Sequence, residues 1–116
     1  MPGVSGRFAQ VSGLCFTYDI DLTVGSRVTG AVFQNADGTC SASAVDLTAG
    51  SSYTLAENDF MSSGGDGYPV DIGSATTREL LDQVVSDYVS GNTAISPIIN
   101  GRITSTASGG GTCPTP

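Results

Sequence analysis

A hairpin is encoded by the stretch Arg27-Val28-Thr29-Gly30-Ala31-Val32-Phe33-Gln34-Asn35-Ala36-Asp37-Gly38, which decides the fold of this 116-residue chain. Its first part, from Arg27 to Phe33, is rich in β-branched and apolar residues and predicts a strand. The Asp-Gly pair that follows supplies the positive φ angle that a tight turn needs. The pattern therefore predicts two antiparallel strands, with Val45–Leu47 continuing the return strand.

Three further segments read as extended structure. Phe8 to Tyr18 is rich in aromatic and β-branched residues, and its Ser12-Gly13 pair predicts a bend or bulge. Tyr53 to Asn58 predicts a strand that runs into a glycine-rich loop, and Ile98 to Thr104 predicts a final strand. Together with the hairpin, these segments predict a sheet.

One amphipathic helix is predicted, from Thr77 to Ser90. Thr76 and Glu79 fit a capping box, and Gly91 fits the position just after a helix end. An apolar stripe at helical spacing indicates that the helix packs on the sheet; its members are Leu80, Leu81, Val84, Val85 and Tyr88. The expected fold is α+β, an antiparallel-rich sheet with one main amphipathic helix.

The segment Glu57-Asn58-Asp59-Phe60-Met61-Ser62-Ser63-Gly64-Gly65-Asp66-Gly67-Tyr68 is the candidate functional site. Its glycines allow the backbone to close on a ligand, its ring can stack on a flat heterocycle, and its carboxylate can accept hydrogen bonds from sugar hydroxyls. A plain turn is the alternative on local sequence. A third interpretation uses Glu57, Asp59 and Asp66 as acid–base groups or Ca²⁺ ligands, but their spacing matches no calcium loop.

Charge and composition exclude several functions. The net charge is −7, with four arginines and no lysine, so neither nucleic acid nor anionic lipid is an expected partner. Without histidine, no Ser/His/Asp set can form, and the three cysteines are too far apart for zinc ligation. We therefore expect no catalytic residues and no cofactor in this chain. No apolar run has the length of a bilayer span, so we expect no membrane insertion.

The three cysteines are an odd number, so at most one pair can form within the chain. Connectivity cannot be deduced from sequence alone. We expect Cys113, in the Ser/Gly/Thr/Pro tail, to reach back to Cys40 and pin that tail. Cys15 would then be buried and free.

Several motifs occur in an order that resembles the C-terminal, substrate-binding domain of the bacterial 5′-nucleotidase and UDP-sugar hydrolase family. They are Gln10-Val11-Ser12-Gly13-Leu14 with Phe16-Thr17-Tyr18-Asp19, Asn58-Asp59-Phe60 with Gly64-Gly65-Asp66-Gly67-Tyr68, and Asn100-Gly101-Arg102-Ile103-Thr104. The resemblance runs from Gly6 to Thr104 and covers only the latter part of the family's domain. It implies a partial domain at 6–105, and composition predicts a leader of an expressed segment at 1–5 and a Ser/Gly/Thr/Pro tail at 106–116.

The resemblance also implies roles. In this family an N-terminal metallophosphoesterase domain carries two divalent metals, and the C-terminal domain grips the nucleoside between two aromatic rings. It implies that Phe60 stacks on the base, that Asp66 binds the ribose hydroxyls, and that Asn58, Gly64, Gly65 and Gly67 shape the loop. The other ring and the metal ligands are expected upstream, in a domain absent from this chain.

The function implied is nucleoside binding within a secreted, periplasmic or extracellular, nucleotide phosphatase, with the isolated chain inactive. The alternative is a non-catalytic cell-surface module that kept the fold. Loss of half a domain would expose apolar surface, which favours a homodimer.

Overall fold

The computed structural model describes residues 8–92 and 94–110, which fall into two compact units. Residues 10–51 and 98–110 form one, called the sheet unit. Residues 8–9 and 52–97 form the other, called the loop unit. The predicted leader at 1–5, Cys113 and the end of the tail lie outside the described residues. Within the described ranges, no helix combines the length and apolar character needed to cross a membrane.

The sheet unit contains four strands: β1 (Leu14–Asp19), β2 (Val28–Gln34), β3 (Cys40–Ala44) and β4 (Ile103–Thr106). Their order in the sheet is β3-β2-β1-β4. β2 pairs antiparallel with both β1 and β3, whereas β1 and β4 run parallel. The antiparallel-rich sheet of the expected α+β fold is therefore confirmed.

Turn chemistry fixes where the strands begin and end. The predicted hairpin turn is confirmed, because Gly38 has a φ of 86° and the amide of Asn35 donates to the carbonyl of Thr39 at 2.8 Å. The predicted bend before β1 is confirmed as well, since Gly13 has a φ of 84°.

Three strand limits differ from the prediction. β1 begins at Leu14 rather than Phe8, after the bend at Gly13. β3 ends at Ala44 because the Asp46 carboxylate accepts the amide of Thr48 at 2.9 Å and starts a turn, so 45–47 does not continue the strand. The last strand begins at Ile103 rather than Ile98, because Gly101 has a φ of 73°, which interrupts an extended run.

A disulfide crosses the sheet. Cys15 of β1 is bonded to Cys40 of β3, the two strands that flank β2. The predicted Cys40–Cys113 pair is therefore wrong, because pairing of Cys40 is decided by its closeness to Cys15 in the folded sheet. Cys15 is buried as expected, but it is not free.

The loop unit contains α1 (Asp59–Ser62), a single 3-10 turn at Gly65–Gly67, and α2 (Leu81–Gly91). The strand predicted at Tyr53–Asn58 is wrong: residues 51–58 form neither strand nor helix. Here Asn58 caps a helix instead of ending a strand.

The main helix exists, but its limits differ from the prediction. It starts at Leu81 after the extended residue Leu80, and no side chain caps it, so the Thr76–Glu79 capping box is wrong. Asn92 ends the helix, since its side-chain amide donates to the carbonyl of Tyr88 at 2.6 Å. The apolar stripe is exposed along its length, contrary to the expected burial.

Candidate functional site

The candidate site is the segment from Glu57 to Ile72, called the Phe60 loop. It begins with a capped helical turn: the Asn58 side-chain oxygen accepts the amide of Met61 at 2.8 Å. Asp59 adds a negative charge in the first turn of α1, where it interacts favourably with the helix dipole and stabilises the helix. These two residues, placed next to each other in the sequence, fix the backbone that carries Phe60.

The Phe60 side chain is 57% exposed although it belongs to a packed turn. The backbone of Gly65 lies against the ring: a Cβ built on Gly65 would come within 2.5 Å of Phe60 Cδ1. Gly65 therefore supports one side of the ring, and no other residue fits there. More than half of the residue's surface is open to solvent.

Left-handed backbone brings the chain back toward the ring. Gly64 has a φ of 89° and Gly67 a φ of 76°, both favourable only for glycine. A Cβ on Gly64 would also come within 2.8 Å of Val70 Cγ2. The sequence-predicted glycines thus shape the loop, each for a steric reason.

Asp66 is the one non-glycine residue with a positive φ in the described part of the chain, at φ 54° and ψ 16°. Aspartate tolerates this region better than most residues, yet the conformation is strained, and such strain concentrates at functional positions. Its exposed side chain follows directly on Gly65, so the carboxylate lies a single residue from the backbone that supports the Phe60 ring.

The loop closes at Ser62, which is 6% exposed. Its hydroxyl donates to Asp71 Oδ1 at 2.6 Å. Its carbonyl accepts the amides of Asp71 at 3.1 Å and of Ile72 at 3.2 Å. Three hydrogen bonds on one buried serine thereby join the end of α1 to the end of the loop.

Glu57 precedes the cap and is partly buried. This burial raises the pKa of the Glu57 carboxyl, and the hydrogen bond to Asp71 and the negative charge of Asp71 raise it further.

The exposed groups of this loop are of the kinds that bind ligands. An exposed ring offers a stacking surface, and an exposed carboxylate offers hydrogen-bond acceptors. In residues 8–92 and 94–110 no group of three His, Cys, Asp or Glu side chains could hold a metal ion. The structure brings the predicted residues Asn58, Phe60, Gly64, Gly65, Asp66 and Gly67 into one loop.

Two residues of the site were missed at the level of sequence. Ser62 and Asp71 close the loop, but a serine and an aspartate nine residues apart carry no recognisable signal.

Comparison with known proteins adds two findings. The family described as "5′-nucleotidase, C-terminal domain" matches residues 2–71, more than half of the chain, including the whole run from Asn58 to Tyr68. Snake venom 5′-nucleotidase from Macrovipera lebetinus is 28% identical over 103 residues, which cover 86% of this chain and 25% of that relative. The chain thus spans about a quarter of the relative's length. No solved structure gives a significant match.

Proposed function

This chain belongs to the family of 5′-nucleotidase C-terminal domains, and we propose that it is the nucleoside-binding part of a nucleotide-hydrolysing enzyme. The family name describes hydrolases that release phosphate from nucleotides. Hydrolysis itself would take place in a separate metallophosphoesterase domain that carries a divalent metal pair. This chain would hold the nucleoside and present the phosphate ester to that domain.

The observation that carries the proposal is the exposed ring of Phe60. An aromatic side chain of this size is ordinarily buried, because its exposure forgoes a large hydrophobic gain. Here the Asn58 cap fixes the turn that carries the ring and Gly65 supports the ring, while more than half of the residue stays exposed. A base stacked on such a ring gains about 1–3 kcal/mol regardless of its identity.

Asp66 supplies the second half of the recognition. A carboxylate accepts hydrogen bonds from two neighbouring hydroxyls at once, which suits the 2′ and 3′ hydroxyls of ribose. Its left-handed backbone aims the side chain from a position that only glycine, asparagine or aspartate takes readily. Asn58, Gly64, Gly65 and Gly67 have an indirect role, which is to set the loop backbone.

We also propose that the parent protein is secreted. The Cys15–Cys40 disulfide supports this, since such bonds persist in oxidising compartments. The similar protein from Macrovipera lebetinus is a venom protein by name, which fits the same environment.

The test is Phe60→Ala in the full-length protein that contains this chain. We expect KM for a nucleoside monophosphate to rise about fivefold to a hundredfold, the range that corresponds to a lost stack. We expect kcat to change far less, because the ring binds the base and not the reacting phosphate. Steady-state kinetics with AMP and UMP measure both quantities.

Tyr88→Ala is the matched control. Tyr88 is similarly exposed and lies on α2 of the same unit, outside the Phe60 loop. Its KM should equal that of the wild type. An unchanged KM in Phe60→Ala would contradict the proposal and would favour a structural module that kept the fold without the ligand.

A further inference from the structure

The main helix, α2, divides its surface into an apolar side and a polar side. Residues three or four positions apart lie on the same face of an α-helix. Five apolar side chains therefore share one face, called the α2 face, which consists of Leu81, Val84, Val85, Tyr88 and Val89. The opposite side of the helix carries the polar side chains, which are Asp82, Gln83, Ser86, Asp87 and Ser90.

In the part of the chain that the structure describes, the α2 face stays uncovered. All residues from 69 to 92 are exposed, and on the face itself the exposed fraction ranges from 43% at Val84 to 64% at Tyr88. A helix of 11 residues is marginal in water on its own, because most helices in proteins are held by the packing of their apolar side. A partner for the α2 face would therefore supply stability that the helix otherwise lacks.

The size of the α2 face suits a weak dimer. Two copies that bury these five side chains against each other remove roughly 1,000 Å² of surface in total, which is the lower limit for a specific interface. The composition suits an interface as well, because the face holds a tyrosine and aliphatic side chains but no charged residue.

The charges near the two ends of α2 favour a second copy in antiparallel orientation. Arg78, just before the helix, is exposed and is the one basic residue within 8–9 and 52–97. Toward its C-terminal end α2 holds Asp87, and its last turn has no basic residue beside the negative end of the helix dipole. Antiparallel packing brings Arg78 of each copy toward this end of the other copy, whereas parallel packing places like charges side by side.

We propose that the α2 face is the contact surface of a homodimer in which two α2 helices pack antiparallel and cross at Val84 and Val85. A twofold axis then places Leu81 of each copy against Tyr88 of the other. Each copy carries a net charge of −7, so electrostatic repulsion opposes the apolar gain and keeps the dimer weak. Dimerisation of this kind does not depend on nucleoside binding by the Phe60 loop.

Sedimentation velocity of this chain without ligand, from about 10 µM to about 1 mM, measures its self-association. We expect a monomer–dimer equilibrium with a dissociation constant on the order of 100 µM, as suits a small interface formed against net repulsion. A non-reducing gel of the same samples excludes a disulfide-linked dimer. A chain that stays monomeric at the highest concentration would overturn the proposal, and a different partner would then cover the α2 face.

Val85→Glu should abolish the dimer. The substitution puts a carboxylate at the twofold axis, opposite the same carboxylate of the other copy, and should raise the dissociation constant by more than about 100-fold. Val85 is already half exposed, and glutamate favours a helix more than valine does, so α2 should persist.

Ser86→Glu is the matched control for Val85→Glu. It adds the same charge one residue further along α2, on the polar side of the helix, so the dimer should remain. Equal dissociation constants for the two variants would contradict the assignment of the α2 face.

The orientation of the helices can be tested without any variant. Isotope-filtered NOE spectra of a mixture of labelled and unlabelled wild-type chain report contacts between copies. We expect contacts between the Leu81 methyl groups of one copy and the Tyr88 ring of the other. Contacts between the two Leu81 side chains would show a parallel pair and overturn the proposal.

Arg78→Glu tests the role of charge. It should weaken the dimer about threefold to tenfold, because two exposed charge pairs become repulsive. Adding Asp87→Arg should restore the dimer, since the charge pair is then reversed rather than lost. A second substitution that weakens the dimer further would contradict the antiparallel arrangement.

Discussion

The sheet unit and the loop unit each contain one buried polar side chain in the described residues, and the two behave in opposite ways. Asp19, at the end of β1, is 6% exposed and accepts hydrogen bonds from the Asp21 amide at 2.9 Å and from Ser108. Ser62, in the loop unit, is equally buried, and its hydroxyl donates to the Asp71 carboxylate. The negative charge of Asp71 acts on a second carboxyl group, that of Glu57.

The consequence is an opposite response to pH. Hydrogen bonds from the Ser108 hydroxyl and the Asp21 amide lower the pKa of Asp19, so the sheet unit is stabilised when that carboxylate is ionised. Burial and the neighbouring Asp71 raise the pKa of Glu57, so the loop unit is stabilised when a proton is present. The contributions of Asp19 and Glu57 to stability therefore change with pH in opposite directions.

The largest expected effect tests how strongly the sheet is fixed. Cys15→Ala with Cys40→Ala removes a crosslink between residues 25 positions apart in sequence. We expect the free energy of unfolding to fall by about 3 kcal/mol, mainly because the unfolded chain regains the entropy that the crosslink removed. Chemical denaturation followed by the amide signals of β1 and β2 measures it.

Cys113→Ser serves as the control for loss of a cysteine, and it should leave the stability unchanged. A loss below about 1 kcal/mol in the double variant would mean that the strand ladder holds the sheet without the disulfide.

The second effect concerns the close packing in the loop unit. Gly65→Ala forces a methyl group into the Phe60 ring, so the ring or the turn must move, at a cost of about 1–3 kcal/mol. Nucleoside affinity should fall together with stability. Calorimetric binding of adenosine and thermal unfolding report the two quantities.

Gly73→Ala is the matched control within the same unit. A Cβ at Gly73 meets nothing within 4 Å, so the change should be neutral or stabilise by up to about 1 kcal/mol. If both alanine variants behaved alike, the support that Gly65 gives to the ring would be disproved.

The smallest expected effect concerns how the stability of the sheet unit depends on pH. A lowered pKa means that the contribution of Asp19 is present above the ordinary aspartate pKa of 3.8 and is lost as the pH falls through the lower value of the folded chain. Asp19→Asn should therefore reduce stability at neutral pH and flatten the acid limb of the sheet unit. Asp87→Asn, on exposed α2, should keep the wild-type acid limb in a set of denaturation curves from pH 2 to pH 7.

Local chemistry explains which features were predictable from the sequence. The prediction of a hairpin turn at Asp37-Gly38 was correct, because glycine itself favours the positive φ angle that the turn needs. The positive φ angles of Gly64 and Gly67 in the Phe60 loop were predictable for the same reason. The strand prediction for Tyr53–Asn58 was wrong, because residues 51–58 form neither strand nor helix. A strand forms only where a neighbouring strand pairs with it, and the apolar residues of this segment do not reveal whether such a neighbour exists.

Features that depend on distance in space were not predictable. The choice of Cys15 as the partner of Cys40 follows from the order β3-β2-β1, which no spacing reveals. The closure of the loop by Ser62 and Asp71 likewise depends on the left-handed turns at Gly64 and Gly67 between them.

An NMR titration of this chain with adenosine and AMP tests the central claim most directly, namely that the Phe60 loop binds the nucleoside while the sheet serves as scaffold. The account predicts saturable shifts of the amides from Asn58 to Tyr68 and unchanged amides in β2 and β3. Loop amides that stay unshifted at millimolar ligand, or shifts that centre on the strands, would contradict it.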